Sequence, residues 1–291
     1  MKILITGANG QLGNSIKRLE SEYKDDCFVF TDVEDLDITD EEAIDTCLKN
    51  EKFDFLINTA AYTAVDNAEN DYDKAFLLNA TAPYLIAKYC KKYKTRFIHI
   101  STDYVFDGKS SIPYAPNMKP NPKNVYGITK LQGEKKVLRV YKDAKIIRTS
   151  WLYSEYGKNF VKTMMGLGKT KSNINVVYDQ IGTPTYALDL AHCIMKMVHH
   201  MPIENIFHYS NEGVCSWYDF ALKIIQMSGS KCKVIPIATK DYPTLAKRPP
   251  FSVLDKNAVK INLRIDIPHW EDSLTKCMKN LMDQDFMDSI Y

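Results

Sequence analysis

Short apolar runs alternate with longer helical stretches over the first 150 residues, and this alternation restricts the possible folds more than any other feature. Strands that alternate with helices form a parallel sheet covered by helices on both faces. We therefore predict the α/β class with a doubly wound parallel sheet. The predicted strands are Lys2–Thr6, Cys27–Thr31, Phe55–Asn58, Arg96–Ser101 and Ala144–Thr149. The predicted helices are Gln11–Glu22, Asp40–Asn50, Tyr72–Lys92 and Val125–Tyr141.

The second half of the chain has a less regular pattern, in which seven proline residues lie between Pro184 and Pro268. We predict that residues 1–150 form a dinucleotide-binding core. Residues 151–291 are predicted to supply the last elements of the sheet, interleaved with a small substrate-binding lobe. We do not expect this lobe to fold as an independent domain.

Composition and charge exclude several classes of protein. Apolar residues make up 45% of the chain and charged residues 25%, as in ordinary globular proteins. The net charge of +2 gives no general attraction to nucleic acid or to an anionic membrane. No segment approaches the roughly 20 apolar residues that span a bilayer. The seven cysteines are scattered and form no C-x-x-C pair, which suits a reducing compartment. We therefore expect a cytoplasmic protein with neither a nucleic-acid nor a membrane partner.

Two local patterns have simple structural interpretations. Thr39 with Glu42 predicts a capping box at the start of the second helix. The basic stretch from Lys88 to Arg96 fits phosphate binding, and it fits the solvated end of a helix equally well.

Three glycine residues, Gly7, Gly10 and Gly13, follow the first strand and open the first helix. Small residues let the backbone turn sharply and approach a pyrophosphate closely. The N-terminus of a helix adds free N–H groups and a partial positive charge. The spacing G-x-x-G-x-x-G differs from the usual G-x-G-x-x-G, so an ordinary glycine-rich turn is the alternative. The position after an N-terminal strand favours dinucleotide binding on a Rossmann-type sheet.

Ligands of such sheets bind beyond the carboxyl ends of the strands, and three segments lie there. Asp37 and Ile38 follow the second strand, where they are placed to bracket an adenine ring. Small residues follow the third strand in the segment Asn58–Tyr62, where a cofactor would pass. Asn79 lies within a predicted helix, an unfavourable place for asparagine unless its side chain has a partner. We consider a bracing role for Asn79.

The acidic end of the second strand bears on the choice of cofactor. Asp32 lies 19 residues after Gly13, close to the spacing at which an acidic residue meets the ribose 2′-hydroxyl of NAD. The segment Thr31–Thr39 contains four carboxylates and no lysine or arginine, so a 2′-phosphate would be repelled there. Lys17 and Arg18 on the first helix are alternative partners for that phosphate. We predict that NADH is used at least as well as NADPH.

A tyrosine and a lysine, Tyr126 and Lys130, are four residues apart and lie on one face of a helix. A free phenol has a pKa of about 10, and a neighbouring ammonium group lowers it. Lysine can also hold the nicotinamide ribose. The alternative is a solvent-exposed helix face. Thr102 ends the fourth strand and is expected to approach Tyr126, where its hydroxyl would bond a substrate ketone as charge develops. Together these residues predict a reductase site.

Long motifs resemble the dTDP-4-dehydrorhamnose reductase family, within the extended short-chain dehydrogenase/reductase type. The resemblance runs from residue 1 to about residue 281. Its motifs are Gly7–Gly13, NTAAYTAVDNAE at 58–69, STDYVFDG at 101–108, VYGITKLQGE at 125–134, RTSWLY at 148–153, DQIGTPT at 179–185, RPPFSVLD at 248–255 and Pro268-His-Trp270.

The resemblance implies an activity. Members reduce the C4 ketone of dTDP-4-dehydro-6-deoxy-L-mannose with NADH or NADPH, the last step of dTDP-L-rhamnose synthesis for polysaccharides. It implies that Tyr126 donates the proton, while Lys130 orients the cofactor and tunes Tyr126. Thr102 and Asp103 would contact the sugar, and Trp151 would pack on the substrate. The implied cofactor residues are Gly10, Gln11 and Leu12 at the pyrophosphate and Asp37, Ile38, Ala60, Ala61 and Tyr62 along the groove.

Alternatives remain for two of these residues. Core packing is the simpler role for Trp151. Arg248, in a proline-rich loop, is suited to clamp a diphosphate in bidentate fashion, and equally to form an ion pair that fixes the loop.

Three other functions fit the same fold. A dehydratase would carry Thr-Asp-Glu after the fourth strand, but Tyr104 occupies the third position here. The chain is also similar to the β subunit of methionine adenosyltransferase, a non-catalytic NADP-binding regulatory subunit. A reductase of a related dTDP-4-keto-6-deoxysugar would have a similar site.

Metal binding is not expected. Some members of the family form magnesium-bridged dimers through a glutamate of the first helix, and Ser15 occupies that position here. A hydroxyl is a poor replacement for a carboxylate on a hard cation. We predict a monomer or a metal-independent homodimer.

Overall fold

A computed structural model describes residues 1–288 of the chain. The strands, in chain order, are β1 (Lys2–Thr6), β2 (Cys27–Thr31), β3 (Phe55–Asn58), β4 (Arg96–Thr102), β5 (Lys145–Thr149), β6 (Leu152–Tyr153), β7 (Asn173–Val177), β8 (Ile181–Gly182), β9 (Thr185–Tyr186), β10 (Ile206–Tyr209), β11 (Cys215–Ser216) and β12 (Lys233–Ile237). The helices are α1 (Gln11–Arg18), α2 (Glu41–Asn50), α3 (Val65–Ala68), α4 (Tyr72–Phe76), α5 (Ala82–Tyr93), α6 (Val125–Val140), α7 (Phe160–Thr170), α8 (Ala187–His200), α9 (Trp217–Met227), α10 (Asn257–Leu263) and α11 (Trp270–Asp288).

The main sheet has six strands in the order β10-β5-β4-β3-β1-β2, and every neighbouring pair is parallel. The chain passes from β1 to β2 on one side and then to β3 on the other side. Strand order therefore reverses at β1, and the carboxyl ends of β1 and β3 border the crevice where such folds bind ligands. The predicted α/β class with a doubly wound parallel sheet is confirmed.

Apolar side chains cover both faces of this sheet. One core cluster contains buried residues of β1 with α1 and α8, including Ile3, Ile16 and Ile194. The other contains residues of α2, α5 and β4, including Ile44 and Phe97. Burial on both faces explains why the central strands consist of nearly continuous apolar runs.

The second half of the chain supplies β10 to the main sheet and also builds a smaller lobe. In the lobe β7 pairs with β12 in parallel, and α7, α9 and α11 pack around a third apolar cluster. Phe220, which is fully buried, contacts the rings of Tyr153 and Trp270 there. The boundary that we predict at residue 150 stays a prediction.

Three helical predictions need correction. The first helix ends at Arg18 and continues as a 3₁₀ turn, Glu20–Glu22. The third predicted helix is divided into α4, a π-helical turn at Leu77–Thr81, and α5. The capping box of Thr39 is wrong. Asp40 is the N-cap of α2, because its carboxylate accepts hydrogen bonds from the backbone N–H groups of Glu42 and Ala43.

The basic stretch Lys88–Arg96 forms the end of α5 and the start of β4. Lys88 contacts Glu41 at 2.6 Å and Lys92 contacts Asp45 at 2.7 Å, which joins α5 to α2. These ion pairs favour the helix-surface interpretation over phosphate binding. Within residues 1–288, no helix has the length and apolar character needed to cross a membrane.

The glycine turn gives a first prediction. A Cβ atom at Gly13 would lie 2.5 Å from the carbonyl oxygen of Gly7 and 2.6 Å from the Cα atom of Ala8. Both are backbone atoms that cannot rotate away, so we expect Gly13→Ala to lower the free energy of unfolding by about 1–3 kcal/mol. The measurement is the midpoint of urea unfolding. Gly166→Ala is the control, because a Cβ atom there meets nothing within 4 Å and should stabilise α7. Equal effects of the two substitutions would contradict this reading of the turn.

Candidate active site

The ends of β1 and β3 form a turn with room for little more than backbone. Gly7 has a φ of +71°, and a Cβ atom there would lie 2.6 Å from the amide nitrogen of Ala60. Thr59 Oγ1 donates to the Thr6 carbonyl oxygen at 2.8 Å, which joins the two strand ends. Helix α1 begins at this turn, and its N-cap, Gly10, supplies no side-chain hydrogen bond. The first turn of a helix has N–H groups without partners within the helix, and beside a close backbone turn they fit the phosphates of a dinucleotide.

The side chains of Gln11 and Leu12, which follow Gly10, contact other parts of the protein. Gln11 Oε1 accepts hydrogen bonds from Ser154 Oγ at 3.1 Å and from Asn159 Nδ2 at 3.0 Å. Leu12 is buried in the apolar core. The backbone of these two predicted residues, and not their side chains, is therefore suited to a pyrophosphate.

The acidic loop after β2 lies beside the glycine turn. Asp32 Oδ2 accepts a hydrogen bond from the backbone N–H of Asn9 at 2.9 Å. Asp37 is exposed and its Oδ1 accepts from Thr39 Oγ1 at 2.7 Å, while Ile38 belongs to the core. Lys17 Nζ lies 5.8 Å from the centre of the Phe30 ring on β2. The carboxylate of Asp32 thus lies beside the glycine turn, and the predicted roles of Asp32, Asp37 and Ile38 stay predictions.

Asn79 braces the segment that follows β3, and its predicted bracing role is confirmed. Its Oδ1 accepts from the Tyr62 backbone N–H at 2.9 Å, and its Nδ2 donates to the Tyr62 carbonyl oxygen at 3.1 Å. Nδ2 also contacts Thr129 Oγ1 at 3.2 Å, which connects the segment to α6. Asn79 is completely buried in the π-helical turn, so this turn places the amide between two elements of the site.

The structure brings Tyr126, Lys130 and Thr102 together at the end of β4. Lys130 is buried, and its Nζ donates to the carbonyl oxygen of Ile100 at 2.6 Å. The Thr102 hydroxyl lies close enough to the Tyr126 phenol to lower its pKa. Burial lowers the pKa of Lys130 to about 8, and the charge of Glu134 acts in the opposite direction.

Our expectation of a lowered pKa for Tyr126 is wrong in this structure. Burial of the phenol raises its pKa to about 12, which the neighbouring Thr102 hydroxyl only partly offsets, and the charge of Asp103 also raises it. Lys130 directs its ammonium group to Ile100 instead. The spacing of the two residues reveals their common helix face, but not the burial that dominates the pKa.

Asp103 is a buried carboxylate beside these groups. Its Oδ1 accepts from Thr102 Oγ1 at 3.0 Å, while its Oδ2 has no hydrogen-bond partner within the described part of the chain. Burial raises its pKa to about 6, and the neighbouring hydroxyls of Ser252 and Thr102 act in the opposite direction. Tyr104 follows, and its ring meets the edge of the Tyr126 ring with centroids 5.5 Å apart.

Trp151 stacks on an aromatic residue that sequence reasoning missed. Its ring lies parallel to that of Trp217, with centroids 3.6 Å apart and planes at 10°. Trp151 has a φ of +48°, an uncommon backbone conformation for a non-glycine residue. The contact with substrate stays a prediction. The sequence could not predict this stacking, because Trp217 lies 66 residues after Trp151, at the start of α9.

Arg248 forms the ion pair that was one of its two predicted roles. Its Nη2 lies 2.6 Å from Asp66 Oδ2, and its Nη1 lies 3.1 Å from Asp66 Oδ1. This bidentate contact fixes the proline-rich loop against α3. A cavity of about 340 Å³ adjoins the loop, and its lining includes Tyr104, Phe160, Trp217, Tyr242 and Arg248.

Ser15 is buried, and its hydroxyl donates to the Gln11 carbonyl oxygen at 2.9 Å. The hydroxyl of Ser15 is therefore hydrogen-bonded within α1. The absence of a structural metal stays a prediction.

The fold and site define a dinucleotide-binding oxidoreductase of the short-chain dehydrogenase/reductase type. The sequence profile described as "RmlD substrate binding domain" matches residues 1–283, and the chain belongs to this family. It is 38% identical over 278 residues to the spore coat polysaccharide biosynthesis protein SpsK of Bacillus subtilis, covering 96% of this chain and 97% of that protein.

Two solved structures share the fold over nearly their whole length. A dTDP-4-dehydrorhamnose reductase from Clostridium acetobutylicum is 42% identical with a TM-score of 0.94, covering 97% of this chain and 100% of that one. A dTDP-4-dehydrorhamnose reductase from Bacillus anthracis, in complex with NADP, is 38% identical with a TM-score of 0.92, covering 96% and 99%. The predicted family is confirmed.

The buried carboxylate of Asp103 gives a second prediction. Its pKa of about 6 lies above the usual value, so its ionisation opposes folding, and this cost builds up as pH rises from about 4 to 6. Asp103→Asn removes the charge and keeps an oxygen for Thr102. We expect the variant to be more stable than the wild type by about 2 kcal/mol at pH 8, and by less at pH 4.5. Urea unfolding at both pH values measures this, and a gain independent of pH would contradict it.

Proposed function

We propose that the chain reduces the C4 ketone of dTDP-4-dehydro-6-deoxy-L-mannose to dTDP-L-rhamnose, with NADH or NADPH as cofactor. The observation that carries the proposal is the meeting of Tyr126, Thr102 and Lys130 at the end of β4 in a member of this family. The glycine turn lies at the end of β1, and only β3 separates β1 from β4 in the sheet. A polysaccharide precursor also suits the similarity to the spore coat protein.

The nicotinamide cofactor, when bound, supplies the hydride for the ketone carbon. We place its pyrophosphate at Gly7, Gly10 and Gly13. The groove that holds it runs along Ala60, Ala61 and Tyr62, and its nicotinamide ribose lies at Lys130. Tyr126 gives the proton of its hydroxyl to the ketone oxygen, which becomes the alcohol. Thr102 donates a hydrogen bond to the same oxygen as negative charge develops on it.

The direction of the reaction requires a protonated phenol at Tyr126. An unperturbed phenol, with a pKa of about 10, is already protonated at neutral pH, and burial raises the pKa of Tyr126 above that value. The Lys130 ammonium group bonds the Ile100 carbonyl oxygen here, so its predicted action on the phenolate stays a prediction.

The cavity beside Tyr104 is the proposed site of the nucleotide half of the substrate. Aromatic rings of Phe160, Trp217 and Tyr242 give surfaces on which a base can stack. Arg248 lies at the same cavity, where it is placed to meet the diphosphate if its contact with Asp66 is exchanged.

The test of the proposal is turnover by the pure protein alone. Nicotinamide absorbance should fall when the dTDP-4-keto-6-deoxysugar is added, and analysis of the product should identify the rhamnose epimer. Formation of the other C4 alcohol would assign a related ketoreductase. Absence of turnover with retained cofactor binding would instead support a regulatory subunit.

The proton donor gives the third prediction. Tyr126→Phe keeps the ring and removes the proton, so we expect kcat to fall by about 10²–10⁴-fold while cofactor binding is nearly unchanged. Tyr93→Phe is the matched control, because this phenol contacts Asp45 on the helical surface at 2.6 Å. Steady-state kinetics and cofactor fluorescence measure the two quantities. More than about a tenth of the wild-type kcat in Tyr126→Phe would exclude Tyr126 as the sole donor.

Cofactor choice gives the fourth prediction. The carboxylate of Asp32 would repel a 2′-phosphate, so we expect kcat/KM with NADH to equal or exceed that with NADPH at one ionic strength. Asp32→Asn keeps an acceptor for the Asn9 N–H, removes the charge and should raise the relative use of NADPH by about fivefold or more. A wild-type preference for NADPH above about tenfold would show that Asp32 does not face the ribose.

The proposal also includes the oligomeric state, the location and the partners of the protein. We retain a monomer or metal-independent homodimer, a cytoplasmic location, and no nucleic-acid or membrane partner as predictions.

A further inference from the structure

Three successive residues of β4 contact α6 through three different side chains. The Ile100 carbonyl oxygen accepts from Lys130 Nζ at 2.6 Å, and the Thr102 side chain lies beside the Tyr126 phenol, whose pKa it lowers. Between them, Ser101 Oγ donates to Glu134 Oε1. Glu134 therefore holds the same strand end that positions the two catalytic side chains.

A second strand fixes the carboxylate of Glu134 from another direction. Arg148 on β5 is the register partner of Ser101 on β4. Its Nε contacts Glu134 Oε1 at 2.9 Å and its Nη2 contacts Oε2 at 2.7 Å, and both side chains are 2–3% exposed. A buried bidentate pair has a fixed geometry, because each donor and acceptor must be satisfied away from water.

The arginine is itself held on its remaining side. Arg148 Nη1 donates to the Pro116 carbonyl oxygen at 3.2 Å and lies 3.3 Å from His208 Nε2 on β10. His208 contacts the Tyr114 carbonyl oxygen through Nδ1 at 2.9 Å. The pair is thus tied to three adjacent strands of the sheet and to the loop before α6.

We propose that Glu134, clamped by Arg148, is a positioning residue that fixes Tyr126 and Lys130 against the end of β4. Only the expected change in kcat rests on the proposed reductase function. Glu134 lies one helical turn after Lys130, so its displacement would move the face of α6 that carries both residues.

A second consequence concerns the charge of Lys130. Burial lowers the pKa of Lys130 to about 8, and the negative charge of Glu134 is the influence that raises it. Removal of this charge should therefore move the titration of Lys130 to lower pH. A buried carboxylate remote from Lys130 would leave that titration in place.

The test compares Glu134→Gln with the wild type. Glutamine keeps the size and one acceptor oxygen for Ser101, and it removes the charge. NMR of the ¹³Cε-lysine-labelled protein, with Lys130→Met to assign the signal, reports the Lys130 titration without substrate or cofactor. We expect its midpoint to fall by about 0.5 or more on the pH scale. We also expect kcat to fall about tenfold or more, with a smaller change in the Kd of NADPH.

The matched control is Glu155→Gln. Glu155 is also buried and is paired at 3.1 Å to an arginine, Arg18. It follows β6, and its arginine partner ends α1. It should leave the Lys130 midpoint unchanged. A Lys130 midpoint in Glu134→Gln within about 0.2 of the wild type, or an equal shift in Glu155→Gln, would overturn the proposal.

A double variant keeps the test decisive if Glu134→Gln does not fold. Glu134→Gln with Arg148→Met removes both members of the ion pair, and such replacements are often tolerated. We expect its Lys130 midpoint to lie between those of Glu134→Gln and the wild type, because a positive and a negative charge are removed together, and a midpoint above that of the wild type would contradict the proposal. A shifted midpoint in a protein without ketone reduction would remove the proposed function and leave the positioning role standing.

Discussion

The burial of the Lys130 ammonium group is the constraint on which the site depends. A buried cation costs several kcal/mol unless acceptors and opposite charges surround it. The carbonyl oxygen of Ile100 provides the acceptor, and Glu134 provides the charge. Glu134 is a buried anion in turn, and Arg148 balances it from the neighbouring strand. The site is therefore continuous with a polar network that crosses the sheet.

The sequence predicts the parts of this arrangement that depend on local pattern. Apolar runs and glycine positions predict β1 to β5 within one residue at each end, because burial on both faces of a parallel sheet imposes those runs. The helix face shared by Tyr126 and Lys130 follows from their spacing. Asn79 is identified correctly because asparagine within a helix requires a partner.

Contacts between distant segments could not be predicted. The stacking of Trp151 on Trp217 and the pairing of Arg248 with Asp66 join residues 66 and 182 positions apart. The pKa of Tyr126 could not be predicted either, because desolvation depends on how closely the lobe and strand ends enclose the phenol. The capping box failed for a local reason, since Asp40 and Thr39 are both good N-caps and only the backbone decides between them.

At Asp103 the requirements of stability and of the proposed function differ. A buried carboxylate with one unpartnered oxygen and a raised pKa opposes folding at neutral pH, and asparagine would fill the same space without a charge. Its neighbour Tyr104 also leaves no second carboxylate for the proton abstraction of a dehydratase. A charge that weakens the fold beside the proposed proton donor fits the proposed contact of Asp103 with the sugar, since strained or unsatisfied groups concentrate at functional sites. Asp103 is accordingly the residue at which we expect the requirements of stability and of ketone reduction to oppose each other.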